Sequence, residues 1–318
     1  MSRRTSLLVA VVLGVLGADA SSTAEASQFI DRNATGVKLA VSRQGEALLT
    51  YRTGGKTRRL LAWGAINARA PSRMRPQARF RLDYSGGWGK YRREVWRTFP
   101  NACRPYDGPK LPWLVAACKA PDGSYWAVQR WQPMLPLYGV TPWRQSQRDW
   151  WVYLSHWRGP IAELEAWTDW VYSGRYHKLF GRFTYRGKPV YGFKSDYYGA
   201  PRDKYGRVVY VDTYNSRYGR GWKRENGFLT HRPNGIFCYG FYEHDELPGY
   251  SRGGRRPRGN GERYRVTIQG PGVTPDVMWQ GKGLPDYDPA DPLLVAHEKR
   301  MNALNDRVRR GDPLCRRR

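Results

Sequence analysis

Val37-Lys38-Leu39-Ala40-Val41, Ala47-Leu48-Leu49-Thr50-Tyr51-Arg52 and Thr57-Arg58-Arg59-Leu60-Leu61-Ala62-Trp63 are three short apolar runs. Arg43-Gln44-Gly45 and Gly54-Gly55-Lys56 set them apart. Runs of this length between glycine turns read as the strands of a β-meander, because each is too short for a stable helix. Downstream, Arg79–Tyr84 alternates strictly, with Phe80, Leu82 and Tyr84 on one face and Arg79, Arg81 and Asp83 on the other. That spacing predicts a half-buried strand. Ala70–Pro76 and Ser85–Lys90 read as loops. Leu111–Cys118, Tyr125–Trp131 and Trp151–His156 continue the strand pattern, and Pro121-Asp122-Gly123 makes a turn between the first two.

The second half repeats the theme. Residues 160–172 carry a helix-favouring Ala-Glu-Leu-Glu-Ala string, but Trp167, Thr168, Trp170, Val171 and Tyr172 favour strand, and strand is the reading taken. Arg182–Arg186, Val190–Phe193, Val208–Thr213, Ile236–Tyr242 and Arg263–Gln269 are further strands. One helix is expected near the end. Asp291 caps it, Pro292 takes the first position, and Leu293, His297, Met301, Leu304 and Val308 recur at helical spacing before Gly311. The expected fold is all-β, with two packed β-sandwich-like parts and one C-terminal α-helix. The chain divides into a leader (1–26), a β-rich part (27–175), a sandwich-like part (176–288), and a helix with a basic tail (289–318).

The leader sets the compartment. Ser2-Arg3-Arg4 precedes an apolar run from Leu7 to Leu16 and two small-residue exits, Ala18-Asp19-Ala20 and Ala24-Glu25-Ala26. A basic start, a short apolar middle and an A-x-A exit predict a secretory signal peptide. The paired arginines leave both the general and the twin-arginine export routes open. Losing residues 1–26 removes Arg3, Arg4, Asp19 and Glu25, so the net charge of +27 is unchanged. No later stretch is apolar enough to span a bilayer. Outside a cell, a field this positive concentrates wall polymers, anionic polysaccharides and lipid head groups. No nucleic-acid module is present, and export argues against nucleic acid as partner.

Cys103, Cys118, Cys238 and Cys315 form an even set in an oxidising compartment, which predicts two disulfides. Three pairings are open, Cys103–Cys118 being the most local. No Cys-x-x-Cys occurs, the five histidines are scattered, and neither a metal nor a cofactor is expected.

Gly181-Arg182-Phe183-Thr184-Tyr185-Arg186-Gly187-Lys188-Pro189-Val190-Tyr191-Gly192 is followed by Asp203-Lys204-Tyr205-Gly206-Arg207-Val208 and by a Pro-Asn-Gly turn at Pro233–Gly235. Residues 180–242 thereby resemble transthyretin-like, carboxypeptidase-regulatory-like β-sandwich modules. The resemblance covers about a quarter of the chain. It implies a binding or spacer module without catalytic residues. The long stretch from Asn215 to His231 and a cysteine in a core strand depart from the pattern.

Candidate sites follow from chemistry. Trp126, Trp131, Trp143, Trp150, Trp151, Trp157, Trp167 and Trp170 crowd one region, where indoles either fill a core or stack on sugar rings. Trp150 and Trp151 cannot share a face of one strand, so Trp150, Trp151 and Trp157 are candidate ligand contacts. Arg252, Arg255, Arg256 and Arg258 form a cationic loop suited to carboxylate or phosphate. Glu243 and Asp245 are a candidate acid pair, without the Glu-x-Asp-x-x-Glu strand of sandwich glycanases. His231 and Cys238 are a candidate acyl-transfer pair, seven positions apart where wall transpeptidases place the two residues two positions apart. The expectation is a secreted, non-catalytic protein that binds anionic or neutral polysaccharide, such as wall polymer, at the envelope or outside the cell. The alternatives are a secreted glycan- or wall-processing enzyme and a structural or partner-binding extracellular protein.

Overall fold

The structure, a computed structural model, describes residues 27–70, 76–135, 148–171, 176–190, 194–195, 201–202, 205, 207–216, 219–225, 227–231, 236–241 and 261–309. It is an all-β protein of packed antiparallel sheets with a C-terminal helix.

Two sheets build the first half. β1 (Gln28–Arg32) pairs with β8 (Trp151–Trp157), β8 with β7 (Tyr125–Trp131), and β7 with β6 (Leu114–Lys119). The second sheet is the meander β2 (Thr35–Val41), β3 (Ala47–Thr53), β4 (Lys56–Trp63) and short β5 (Arg81–Asp83). Strand parity makes the sandwich: Trp126, Val128, Val152 and Leu154 from one sheet meet Leu49, Tyr51, Leu60 and Ala62 from the other in one buried cluster. Cys118 joins that core and is disulfide-bonded to Cys103, with Cα atoms 5.4 Å apart.

Two further sheets build the second half. β10 (Tyr176–Tyr185) lies between β9 (Ala162–Val171) and β17 (Ile236–Phe241). β16 (Gly227–His231) borders β17, and β11 (Lys188–Pro189) closes a hairpin with β10. Facing them are β15 (Gly219–Arg224), β14 (Val209–Ser216), β18 (Arg263–Ile268) and β19 (Val277–Lys282) in that order. β12 (Lys194–Ser195) and β13 (Pro201–Arg202) pair separately. Leu179, Phe183, Phe237 and Tyr239 pack against Val209, Val211, Tyr264 and Val266. β9 and β10 pair over ten residues, from Ala162 opposite Tyr185 to Val171 opposite Tyr176.

The helices are α1 (Trp88–Tyr91), a single turn, and α2 (Pro292–Arg309). Asp291 Oδ1 accepts from the Leu293 amide at 2.8 Å, as its capping position predicts. Met301 and Leu304 pack on Trp167, Phe180 and Cys238, while Leu293 is exposed despite its place in the apolar stripe. Of the 160–172 stretch, Ala162–Val171 is strand, as read, and Tyr172 lies outside the described residues. The stretch from Asn215 to His231 holds β15 and β16. In the expected Val190–Phe193 strand, Val190 is not in a strand, and residues 191–193 lie outside the described residues. Tyr84, expected on an inward face, is exposed because the strand ends at Asp83.

Candidate functional site

The turn after β5 is built on Asp83. Its Oδ1 accepts from the Ser85 amide at 2.9 Å and its Oδ2 from the Lys90 amide at 3.1 Å. The Ser85 hydroxyl oxygen accepts from the Gly89 amide at 2.7 Å. Burial works to raise the Asp83 carboxyl, but the Ser85, Lys90 and Gly87 donors outweigh it and hold the pKa below the ordinary aspartate value. Gly86 and Gly87 have φ of 67° and 118°. A Cβ at Gly87 would stand 2.5 Å from Val95, so the tight turn requires glycine.

This turn carries aromatic rings into solvent. Tyr84 and Trp88 are each 54% exposed, and Tyr91 is 38% exposed. The Tyr84 hydroxyl donates to the Ile30 carbonyl at 3.0 Å, which anchors that ring at one edge. Glu46 accepts from both the Lys90 ammonium and the Tyr91 hydroxyl. Burial alone would lower the Lys90 pKa; its hydrogen bonds and charge attraction to Glu46 reverse that, and it stands above the ordinary lysine value. The ammonium lies 4.1 Å from the Trp63 ring centre and 4.8 Å from Tyr91, within cation–π range. Arg59 and Arg97 sit 3.6 and 5.1 Å from the Trp96 ring centre. Arg92, Arg93 and Arg97 are exposed around the same turn. The Trp88 and Tyr91 rings therefore share a water-facing surface with these cations, while Tyr84 turns to the Ile30 side of the sheet.

The tryptophans singled out from sequence part company. Trp150 is 41% exposed, with the Arg130 guanidinium 5.2 Å from its ring centre. Asn33 holds its backbone from both sides, donating to the Trp150 carbonyl at 2.7 Å and accepting from its amide at 2.9 Å. Trp151 is half-buried between Phe29, at 4.9 Å, and the Arg32 guanidinium, at 4.8 Å. Trp157 is fully buried beneath Tyr106 and Tyr125, so its ring cannot meet a ligand. It shares Trp151's strand parity, but at that end of β8 other residues cover the face.

Register separates the His–Cys pair. His231 is opposite Phe237 and Thr230 is opposite Cys238, so His231 and Cys238 occupy positions on opposite faces of the sheet. Cys238 is buried with Trp167 and Phe180. Glu243, Asp245, Arg252, Arg255, Arg256, Arg258 and Cys315 lie outside the described residues. Among the described residues, no three His, Cys, Asp or Glu side chains converge to hold a metal. None of the described helices is long and apolar enough to cross a membrane.

Other arginines are committed to structure. Arg224 and Arg265 both donate to Asp212, at 2.6 and 2.9 Å, and lie 4.5 Å from the Tyr210 ring centre and 4.2 Å from that of Trp222, respectively. They brace one face of the β14–β18 sheet and are largely buried.

The turn from Tyr84 to Tyr91 was not singled out by sequence reading. The signal was present in Ser85-Gly86-Gly87-Trp88-Gly89-Lys90-Tyr91, where large rings stand among glycines with no apolar neighbours to cover them. Compared with family models, with curated proteins and with solved structures, the chain matches none of them.

Proposed function

We propose that this is an exported, non-catalytic protein that holds anionic or neutral polysaccharide at the cell envelope or outside the cell. The observation that carries the reading is the turn after Asp83, where the exposed rings of Trp88 and Tyr91 stand beside Lys90, Arg92 and Arg93. Rings of this kind stack on the apolar faces of sugars, and the cations attract carboxylate or phosphate substituents. Asp83 and the glycines hold the turn before any ligand arrives, so little ordering is lost on binding. Trp150 with Arg130 offers a second contact of the same chemistry.

Sedimentation with purified wall polymer or with an insoluble acidic polysaccharide tests the reading. A Trp88→Ala/Tyr91→Ala double variant is expected to weaken retention on the order of tenfold or more, since each lost stacking contact is worth about 0.5–1.5 kcal/mol. Its melting temperature should be nearly unchanged, because both rings are exposed. Retention should fall with salt if the polymer is anionic and hold if it is neutral. Equal retention by native and double-variant protein would overturn the assignment to this surface.

A further inference from the structure

Asp276 is fully buried where the two halves meet. Its Oδ2 accepts from the Trp131 indole at 2.7 Å and its Oδ1 from the Gly270 amide at 3.1 Å. The Ser27 hydroxyl, also fully buried, donates to the same Oδ1. Burial, only partly countered by these donors and by the charge of Arg207, pushes the carboxyl up to about 6. Arg207 is itself buried, with its guanidinium against Phe183 and Tyr205 and donating to the Gln269 carbonyl. Tyr153 also senses the Asp276 charge, and burial raises its phenol far above the ordinary value, so it stays neutral. Gln129 and Trp131, from β7, are uncharged.

Ser27 is the residue immediately after the Ala24-Glu25-Ala26 exit. Its position is fixed from the next residue on. The Gln28 side chain accepts from the Phe80 amide at 2.6 Å, and Gln28 pairs with Leu154. The Ser27 nitrogen is joined to its hydroxyl oxygen through two carbons, which keeps the two within about 4 Å. The nitrogen therefore lies within reach of the ~4–6 Å over which an opposite charge acts on a carboxylate.

We propose that removal of the leader between Ala26 and Ser27 creates the counter-charge of Asp276, so that export processing locks the mature fold. Water adds its hydroxyl to the Ala26 carbonyl carbon and the C–N bond breaks. Ala26 leaves as a carboxylate, and the Ser27 nitrogen takes up protons to become an α-ammonium. The uncleaved chain has a neutral amide there. Its Asp276 binds a proton more tightly than in the unfolded state, so the uncleaved fold loses stability as pH rises from about 4 through about 6. In the cleaved chain the ammonium favours the carboxylate and removes that loss. The lock rests on the export reading for its cleavage.

The test compares protein whose tag is removed in vitro to leave Ser27 first with protein that retains Glu25-Ala26 ahead of it. At pH 7 the Ser27-first form should melt several degrees higher. The difference should vanish in Asp276→Asn. If that variant fails to fold, the α-amine of the Ser27-first native sequence is titrated by its labelling rate. It should lose its proton well above the ordinary ~8 of an α-amino group. Equal melting temperatures, a difference that persists in Asp276→Asn, or an ordinary amine titration would each overturn the lock. Mass spectrometry of the exported protein reads the cleavage separately. A start at a residue other than Ser27 overturns both the cleavage site and the lock, whereas a Ser27 start with equal melting temperatures overturns the lock alone.

Discussion

Single residues in this protein owe their roles to what covers them. Trp88 and Trp157 have the same side chain. One stands on a glycine turn in water, and the other lies under Tyr106 and Tyr125. His156 shows the same dependence. It looked like one of several scattered histidines, yet its ring stacks 3.9 Å from Trp126, and its nitrogens meet the Ala65 carbonyl at 2.6 Å and the Ser124 hydroxyl at 2.9 Å. Burial, offset only in part by the Ala65 carbonyl and Asp122, lowers its pKa to about 4. The sign follows: below about 6.5 the unfolded chain takes up a proton that the folded chain refuses. This group therefore removes stability as pH falls towards 4, by about 1.4 kcal/mol per pH unit. The expected observation is a His156 ring resonance that titrates near 4 in nuclear magnetic resonance. Titration near 6.5 would contradict the buried, neutral ring.

Elements were legible where their residues carried the pattern themselves. β7 runs from Tyr125 to Trp131, the limits read from an apolar run behind an Asp-Gly turn. β15 was not legible, because Arg220, Gly221 and Lys223 give no apolar face; it is a strand through pairing with β14, with Trp222 opposite Tyr214. Ser85–Lys90 was legible as a loop, but not that the strand stops at Asp83 and leaves Tyr84 exposed, since alternation alone does not mark where Asp83 gathers the following amides. The local disulfide was one of three open pairings, and the sheet decides it by bringing Cys103 beside Cys118 on β6. Replacing both with serine should cost about 3 kcal/mol for a loop of 15 residues, read as a lower urea midpoint with little change in slope. With that bridge made, Cys238–Cys315 is the remaining pairing the export reading expects.

At the scale of the molecule, the two halves are tied by buried polar contacts as well as apolar ones, with Val273 in the first core, Ala68 against the second and the Trp131 and Tyr210 rings 5.1 Å apart. Gln129 donates to the Asp276 carbonyl at 3.0 Å and accepts from the Asp276 amide at 2.8 Å. The His156 amide donates to the Val273 carbonyl at 2.7 Å, and the Tyr185 hydroxyl accepts from the Ala68 amide at 3.2 Å. These groups are largely buried, so separating the halves would strand them, at roughly 1–3 kcal/mol each. Heating should therefore give one calorimetric transition, with calorimetric and van't Hoff enthalpies equal. Two resolved transitions would show that the halves unfold independently. The sequence alone determined the β class, the capped C-terminal helix and the strong positive charge, because period, turn residues and charge are local properties. Tertiary structure decided which tryptophans meet water, which arginines are held by Asp212, and that Ser27 and Asp276, 249 residues apart, share one buried hydrogen bond. Burial depends on what the rest of the chain lays over a residue, and no local pattern records that.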